Sequence, residues 1–316
     1  MNASTLTGTY RGRFAPTPSG PLHAGSLLTA LASWLDARQA RGRWLLRIDD
    51  LDRARCRPDA ESSILRQLEA HGLTWDETPR RQSLHLNEYA RVLADIERRG
   101  LSYGCRCTRA MLQRQARHGV DGPVYAGTCR SLGLNGERLA IRFRMPEYGA
   151  RLALNDRIQG MVYRDAEADI GDWVLRRSDG IYGYHLSCVV DEAAMQITHI
   201  VRGADLLASS FAQRSLQTTL GLSSPVCAHV PLRYDASGRK LSKQNHAESL
   251  DPRRCGSNLF EALTDLGQSP PGVLRGAAPR DLLDWAVPNW RLEAVPRQPV
   301  VGSASSSAAL ASGILD

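Results

Sequence analysis

Two short stretches, far apart in the chain, carry residues suited to the same chemistry. The first is RFAPTPSGPLHAG, from Arg13 to Gly25, and the second is KLSKQ, from Lys240 to Gln244. In the first, a proline-punctuated turn delivers His23 and Gly25 to the start of an apolar helical run, Ser26 to Leu35. The first turn of a helix exposes unpaired amide donors and the positive end of the dipole, so phosphate settles there, and Gly25 lets it approach the backbone closely. His23 can hydrogen-bond the same phosphates. In the second, Lys240 and Lys243 flank Leu241-Ser242 on a loop that contains Gly238. Two ammonium groups on a flexible arm neutralise the charge that develops on pyrophosphate as it leaves. Each stretch alone is unspecific, because HxG and KxxK are common in solvated loops. Together they read as two halves of one ATP site, with His23, Lys240 and Lys243 catalytic and Gly25 and Ser242 as further ATP contacts.

Cys105-Arg106-Cys107 and Cys129 form a second candidate, with Tyr125 four residues before the last cysteine. Zinc takes four ligands in a tetrahedron, and three thiolates with one oxygen can satisfy it. CxC is less diagnostic than CxxC, so structural cysteines remain an alternative reading of the spacing.

These residues need a scaffold. Gly8 to Phe14 leads out of a first strand into the signature loop, a helix runs through Arg38, and Trp44 to Ile48 forms a second strand. That order predicts a parallel βαβ unit, with RIDDLD at the carboxyl edge where open α/β sheets place ligands. Amphipathic helices are expected over Asp59 to Leu73 and Asn87 to Gly100, then an irregular, basic insertion from Cys105 to Cys129. Strands follow at Leu139 to Arg144 and within Ala150 to Arg164, and DWVLRRSDGIYGYHL reads as a hairpin turning at Ser178-Asp179-Gly180. Further on, Tyr184 to Met195 and Ala204 to Leu220 have helical character, and Ile197 to Val201 reads as a buried strand.

The chain has 316 residues, a formal net charge of +7 and a pI near 9.2, which favours a polyanionic partner. No apolar stretch reaches the roughly 18 residues of a membrane span, and MNASTLTGTYRGR lacks the apolar core of a signal peptide. A soluble, cytoplasmic protein without a membrane partner is expected. Seven cysteines in a chain this long suit free thiols and a metal site better than a disulfide framework.

RFAPTPSGPLHAG combined with KLSKQ resembles the class I aminoacyl-tRNA synthetases of the glutamyl/glutaminyl group, whose signatures are a HIGH-type and a KMSKS-type motif. The likeness runs from about Arg11 to Asn245. It implies an α/β fold: a class I synthetase Rossmann-like parallel sheet with a zinc-binding insertion and a small helical C-terminal subdomain. The corresponding divisions are 1–100 and 139–244 for the two catalytic halves, 101–138 for the insertion, 245–300 for the subdomain and 301–316 for a low-complexity, disordered tail.

The resemblance also assigns an amino-acid pocket. Arg13 matches the arginine that pairs with the substrate's side-chain carboxylate, a fork that discriminates against a neutral amide. Phe14, Ala15, Pro16 and Thr17 on the same turn, Tyr184 in GYHLSCVVDEAA and Arg202 in THIVRGADL complete its glutamate-binding set. Asp49 departs from the pattern: the family usually has RxEDxD, with a glutamate on the α-ammonium, and a side chain one methylene shorter calls for a water bridge. A branch of the family carries CxC…YxxxC as a zinc site, which implies Cys105, Cys107, Tyr125 and Cys129 as ligands of one zinc per chain. Arg106, Arg109, Arg114, Arg117 and Arg130 would then offset the thiolates and present a basic surface to RNA.

Only about seventy residues follow Lys243, whereas a conventional glutamyl-tRNA synthetase continues into a large anticodon-binding domain. In this, and in its KLSKQN wording, the chain resembles the glutamyl-queuosine tRNA(Asp) synthetases. That family activates L-glutamate with ATP, here expected with Mg2+, and attaches it to queuosine in the anticodon loop of tRNA(Asp). A monomer is expected. The alternatives are an acceptor-end synthetase without its anticodon domain and a non-catalytic paralogue that binds tRNA or glutamate; the short chain argues against the first and the intact signatures against the second.

Overall fold

The computed structural model describes residues 9–146, 148–234, 249–297 and 300–301. Lys240, Ser242 and Lys243, and the expected tail beyond residue 301, lie outside the described residues.

The predicted βαβ unit is present. Strand Arg11–Phe14 and strand Arg43–Ile48 pair in parallel with Arg13 opposite Leu45, joined by helix Ala24–Gln39. Arg80–Arg81 adds a short parallel strand beside Ile48. On the other side lies His199–Gly203, tied to the first strand through Thr198 N–H to Arg11 O, 3.0 Å, and Arg11 N–H to Thr198 Oγ1, 2.9 Å. It pairs in parallel with Val226–Val230.

Alternation along these strands decides what each face carries. Phe14, Trp44, Leu46 and Ile48 face the first helix and share a core with Leu27, Leu31 and Leu35. Leu45 and Ile200 face the opposite way, packing with Met195 and Ile197. Arg13, Arg47 and Arg202 fall in this second set. Helices Tyr184–Ala194 and Leu207–Leu220 cover that face.

The first helix is buried round most of its circumference because both its sides are covered. Helices Cys255–Asp265 and Pro279–Asn289 contribute Leu259, Leu263, Leu283 and Ala286 to the same core, joined by Trp290 just beyond the second. Asp36 ties these layers together, accepting from Tyr10 Oη at 2.6 Å, from Trp290 Nε1 at 3.3 Å and from the Arg157 guanidinium.

Two regions differ from the sequence reading. The insertion is more regular than expected, with helix Arg109–Gln115 and a ribbon of Arg117–Gly119 against Gly122–Val124. The expected hairpin at residues 178–180 turns there, but its return arm makes a single bridge, Arg176 to Tyr182, before a helix starts at Tyr184. Strand Val174–Arg176 pairs instead with Ala140–Phe143, which also pairs with Ser102–Cys105. Gly183 permits the abrupt change: a Cβ there would sit 2.0 Å from Val174 O.

Trp290 is 2% exposed and belongs to the core around the first helix. Trp290→Ala is expected to cost about 3–5 kcal/mol of stability and to leave unfolding a single transition in urea. A separate early transition would show that the C-terminal helices unfold independently.

Candidate active site and metal centre

The signature loop is pinned from several directions. Asp49 N–H donates to Pro16 O at 3.1 Å, Arg57 N–H to Pro18 O at 2.9 Å, and Leu22 N–H to Gln67 Oε1 at 2.7 Å. His23 is the N-cap of the first helix, with Nδ1 accepting from Ser26 N–H at 3.3 Å. A neutral ring accepting at Nδ1 carries its proton on Nε2. Gly25 lies in that first turn. Ser249, five residues beyond Gln244, makes an antiparallel bridge with His23, and Leu250 N–H donates to Leu22 O at 2.9 Å. The chain thus returns to the first signature directly after the second.

Beside this loop, three buried arginines lie on the face covered by the helix that starts at Tyr184. Arg13 donates from Nε and Nη2 to Glu192 Oε1 at 3.2 and 3.0 Å. Arg47 grips Asp49 with two hydrogen bonds, 2.6 and 3.1 Å, and places Nη1 3.6 Å from Glu192. Burial pushes the Asp49 carboxyl up against the pull of Arg47. Arg202 is held by His229 and Ser210 and keeps Nη1 buried without a hydrogen-bond partner. Asp191 is engaged elsewhere, accepting from Arg80 Nε, Gln82 Nε2 and Tyr89 Oη, each at 2.8 Å. Arg13 and Arg47 therefore pair with Asp49 and Glu192, with Asp191 3.9 Å from Arg47, while Arg202 has no ion pair among the described residues. Removing a charge from water without a full partner is costly, so this arrangement favours an incoming anion.

Tyr184 opens the covering helix and is 39% exposed, at the rim of this group. Ala15 and Thr17 are half-buried and Pro16 is buried on the signature turn. Phe14 does not point at the arginines; its ring stacks on Trp44 at 6.2 Å on the opposite face of the sheet. Glu192, Asp191 and Arg47 were missed by the sequence reading. The signal for the two acids was their adjacency, Asp191-Glu192, in a largely apolar helix.

The cysteine cluster closes as a compact set. Sγ atoms of Cys105, Cys107 and Cys129 all lie within 4.8 Å of one another, with Cys107 and Cys129 at 3.5 Å. Tyr125 Oη sits 3.5 Å from Cys105 Sγ and 3.7 Å from Cys107 Sγ. A tetrahedral ion with bonds of about 2.3 Å to sulfur spaces its sulfurs at about 3.8 Å, so these donors fit a metal. Burial raises the Cys105 thiol, but hydrogen bonds from Tyr125 and Arg142 outweigh it and bring the group to about 7. Burial and the neighbouring thiols push Cys107 up to about 11. The Arg142 guanidinium also lies 3.7 Å over the Tyr125 ring. Around the cluster Arg106, Arg109 and Arg114 are exposed, while Arg117 pairs with Glu167 at 2.7 Å. Arg130 is turned inward, paired with Asp172 and stacked over Tyr148, so it offers the surface less charge than expected.

Residues 9–257 match the family model for the catalytic domain of class I tRNA synthetases of the E and Q type. The chain belongs to this family. It is 48% identical to the glutamyl-Q tRNA(Asp) synthetase of Thiobacillus denitrificans over 92% of this chain and 96% of that protein. It is 45% identical to the enzyme of the same name from Dechloromonas aromatica, over 92% and 97%. Among solved structures, a glutamate tRNA ligase from Elizabethkingia meningosepticum, in complex with its amino acid, superposes with a TM-score of 0.77 at 27% identity. That match covers 94% of this chain and 68% of the other.

The synthetase, purified without chelator, is expected to carry about one equivalent of divalent metal, lost in Cys129→Ala. Elemental analysis that finds no metal in the unmodified protein would count against the centre.

Proposed function

We propose that the synthetase activates L-glutamate with ATP and Mg2+ and transfers it to the queuosine base of tRNA(Asp). The observation that carries the glutamate half is the buried arginine group beside the His23 helix start. Arg202 has no ion pair with a carboxylate among the described residues, and its Nη1 is buried without a hydrogen-bond partner. A substrate with an anionic side chain supplies what is missing, and a neutral amide does not. The relatives named for glutamyl-Q transfer support the second half, because they match nearly end to end.

In this reading Arg13, Arg202 and Tyr184 hold the amino acid, with Asp49 toward its ammonium. His23 and the first-turn amides receive the phosphates, and Lys240, Ser242 and Lys243 act on the leaving pyrophosphate. Cys105, Cys107, Tyr125 and Cys129 hold a zinc ion, which when bound fixes the insertion. The exposed Arg106, Arg109 and Arg114 then approach the RNA backbone. The protein works as a cytoplasmic monomer, with catalytic halves 1–100 and 139–244 around insertion 101–138. None of the described helices is long and apolar enough to cross a membrane.

Radiolabelled glutamate is expected to charge tRNA(Asp) that carries queuosine, to leave the guanosine form unlabelled, and to stay attached when the loaded tRNA is treated with periodate. Label on the terminal adenosine of tRNA(Glu) would establish an acceptor-end enzyme instead. His23→Ala and Lys243→Ala should each lower glutamate-dependent pyrophosphate exchange by at least about tenfold while glutamate binding persists. Near-normal exchange in both variants would sink the assignment of the two signatures.

A further inference from the structure

Arg202 is held along one edge by a buried network that the pocket itself does not require. Its Nε donates to His229 Nε2 at 3.2 Å and its Nη2 to Ser210 Oγ at 2.5 Å, while Ser210 Oγ lies 2.9 Å from His229 Nε2. On the far side of the ring, His229 Nδ1 lies 2.6 Å from Asp156 Oδ2. The other Asp156 oxygen accepts from the N–H groups of Ile158, Gln159 and His229 at 3.0, 2.9 and 3.1 Å. These four side chains come from two strands, a helix and a hairpin, and none exceeds 3% exposure.

Donor counting orders the network. A guanidinium only donates, so His229 Nε2 accepts and the ring proton sits on Nδ1, toward Asp156. Burial holds His229 below its usual range. Burial pushes Asp156 up, but its bonds from His229 and the backbone outweigh this and keep it below the usual carboxylate range. The ring is therefore neutral and the carboxylate charged at neutral pH. Aspartate, histidine and serine in this order also form a hydrolytic constellation. Ser210 Oγ, however, is buried and already receives Arg202, which leaves no access for an acyl group.

We propose that Asp156, His229 and Ser210 are positioning residues that lock Arg202 so that Nη1 meets the substrate carboxylate, and that they thereby set the preference for an acidic over an amide side chain. The inference rests on Arg202 being a pocket residue. Fixing the carboxylate–imidazole tautomer is what aims the guanidinium, since a proton on Nε2 would face the Arg202 Nε donor.

The test is steady-state pyrophosphate exchange with glutamate and glutamine, alongside unfolding midpoints, for Asp156→Asn, Ser210→Ala, His229→Gln, His229→Leu and Arg202→Ala. Asp156→Asn keeps the shape but lets the ring reverse its proton. It should raise the glutamate KM about tenfold, hold kcat within about twofold, and narrow the preference over glutamine by a similar factor. Ser210→Ala should act in the same direction, more weakly. His229→Gln, which keeps an acceptor, should outperform His229→Leu. Unmodified KM in Asp156→Asn and Ser210→Ala, while Arg202→Ala loses glutamate, would overturn the inference and leave the pocket standing. Lower unfolding midpoints with no change in KM would overturn it equally. An unchanged KM in Arg202→Ala would overturn the pocket reading, and the inference with it.

Discussion

Burying guanidinium groups on one face of a parallel sheet is the constraint on which the rest of this structure depends. Arg13, Arg47 and Arg202 each lie at 3% exposure or less, where an unpaired charge costs several kcal/mol. The covering helix must therefore bring acids, and it does so with Asp191 and Glu192. Asp49 closes on Arg47 from the strand end, and Arg80 with Tyr89 and Gln82 occupies Asp191. What remains is Arg202, which has no ion pair with a carboxylate among the described residues and keeps Nη1 without a hydrogen-bond partner. The stability of this face therefore draws on the same groups to which we assign substrate recognition.

The opposite face of the sheet meets a different demand. The helix capped by His23, whose amino terminus we assign to phosphate, is held by apolar packing that includes the C-terminal helices. Its histidine cap accepts the Ser26 N–H through Nδ1, which puts the proton of a neutral ring on Nε2. Between the two faces runs the signature turn, bonded to Asp49 on one side and to Gln67 on the other.

Much of this was legible in the sequence because it is local. The strand, turn and helix around RFAPTPSGPLHAG, the parallel return strand and the CxC…YxxxC cluster all depend on spacings within a few tens of residues. What was not legible depends on partners far apart in the chain. Glu192 meets Arg13 across 179 positions and His229 meets Asp156 across 73, so neither role can be read from its own neighbourhood. Arg130 shows the same limit in reverse: it looks like one more surface cation in a basic run, yet a distant Asp172 draws it inward. The hairpin expected after Trp173 failed for another reason. Its turn chemistry was correct, but the strand found a better partner in Ala140–Phe143, and the helix at Tyr184 took the return arm.

The central claim is that the buried arginine group is completed by an anionic side chain. Calorimetric titration of the purified protein with L-glutamate and with L-glutamine tests it most directly. The account predicts binding of glutamate at least about tenfold tighter than glutamine, equivalent to about 1.4 kcal/mol, with the difference collapsing in Arg13→Ala or Arg202→Ala. Equal affinity for the two amino acids in the unmodified protein would contradict it.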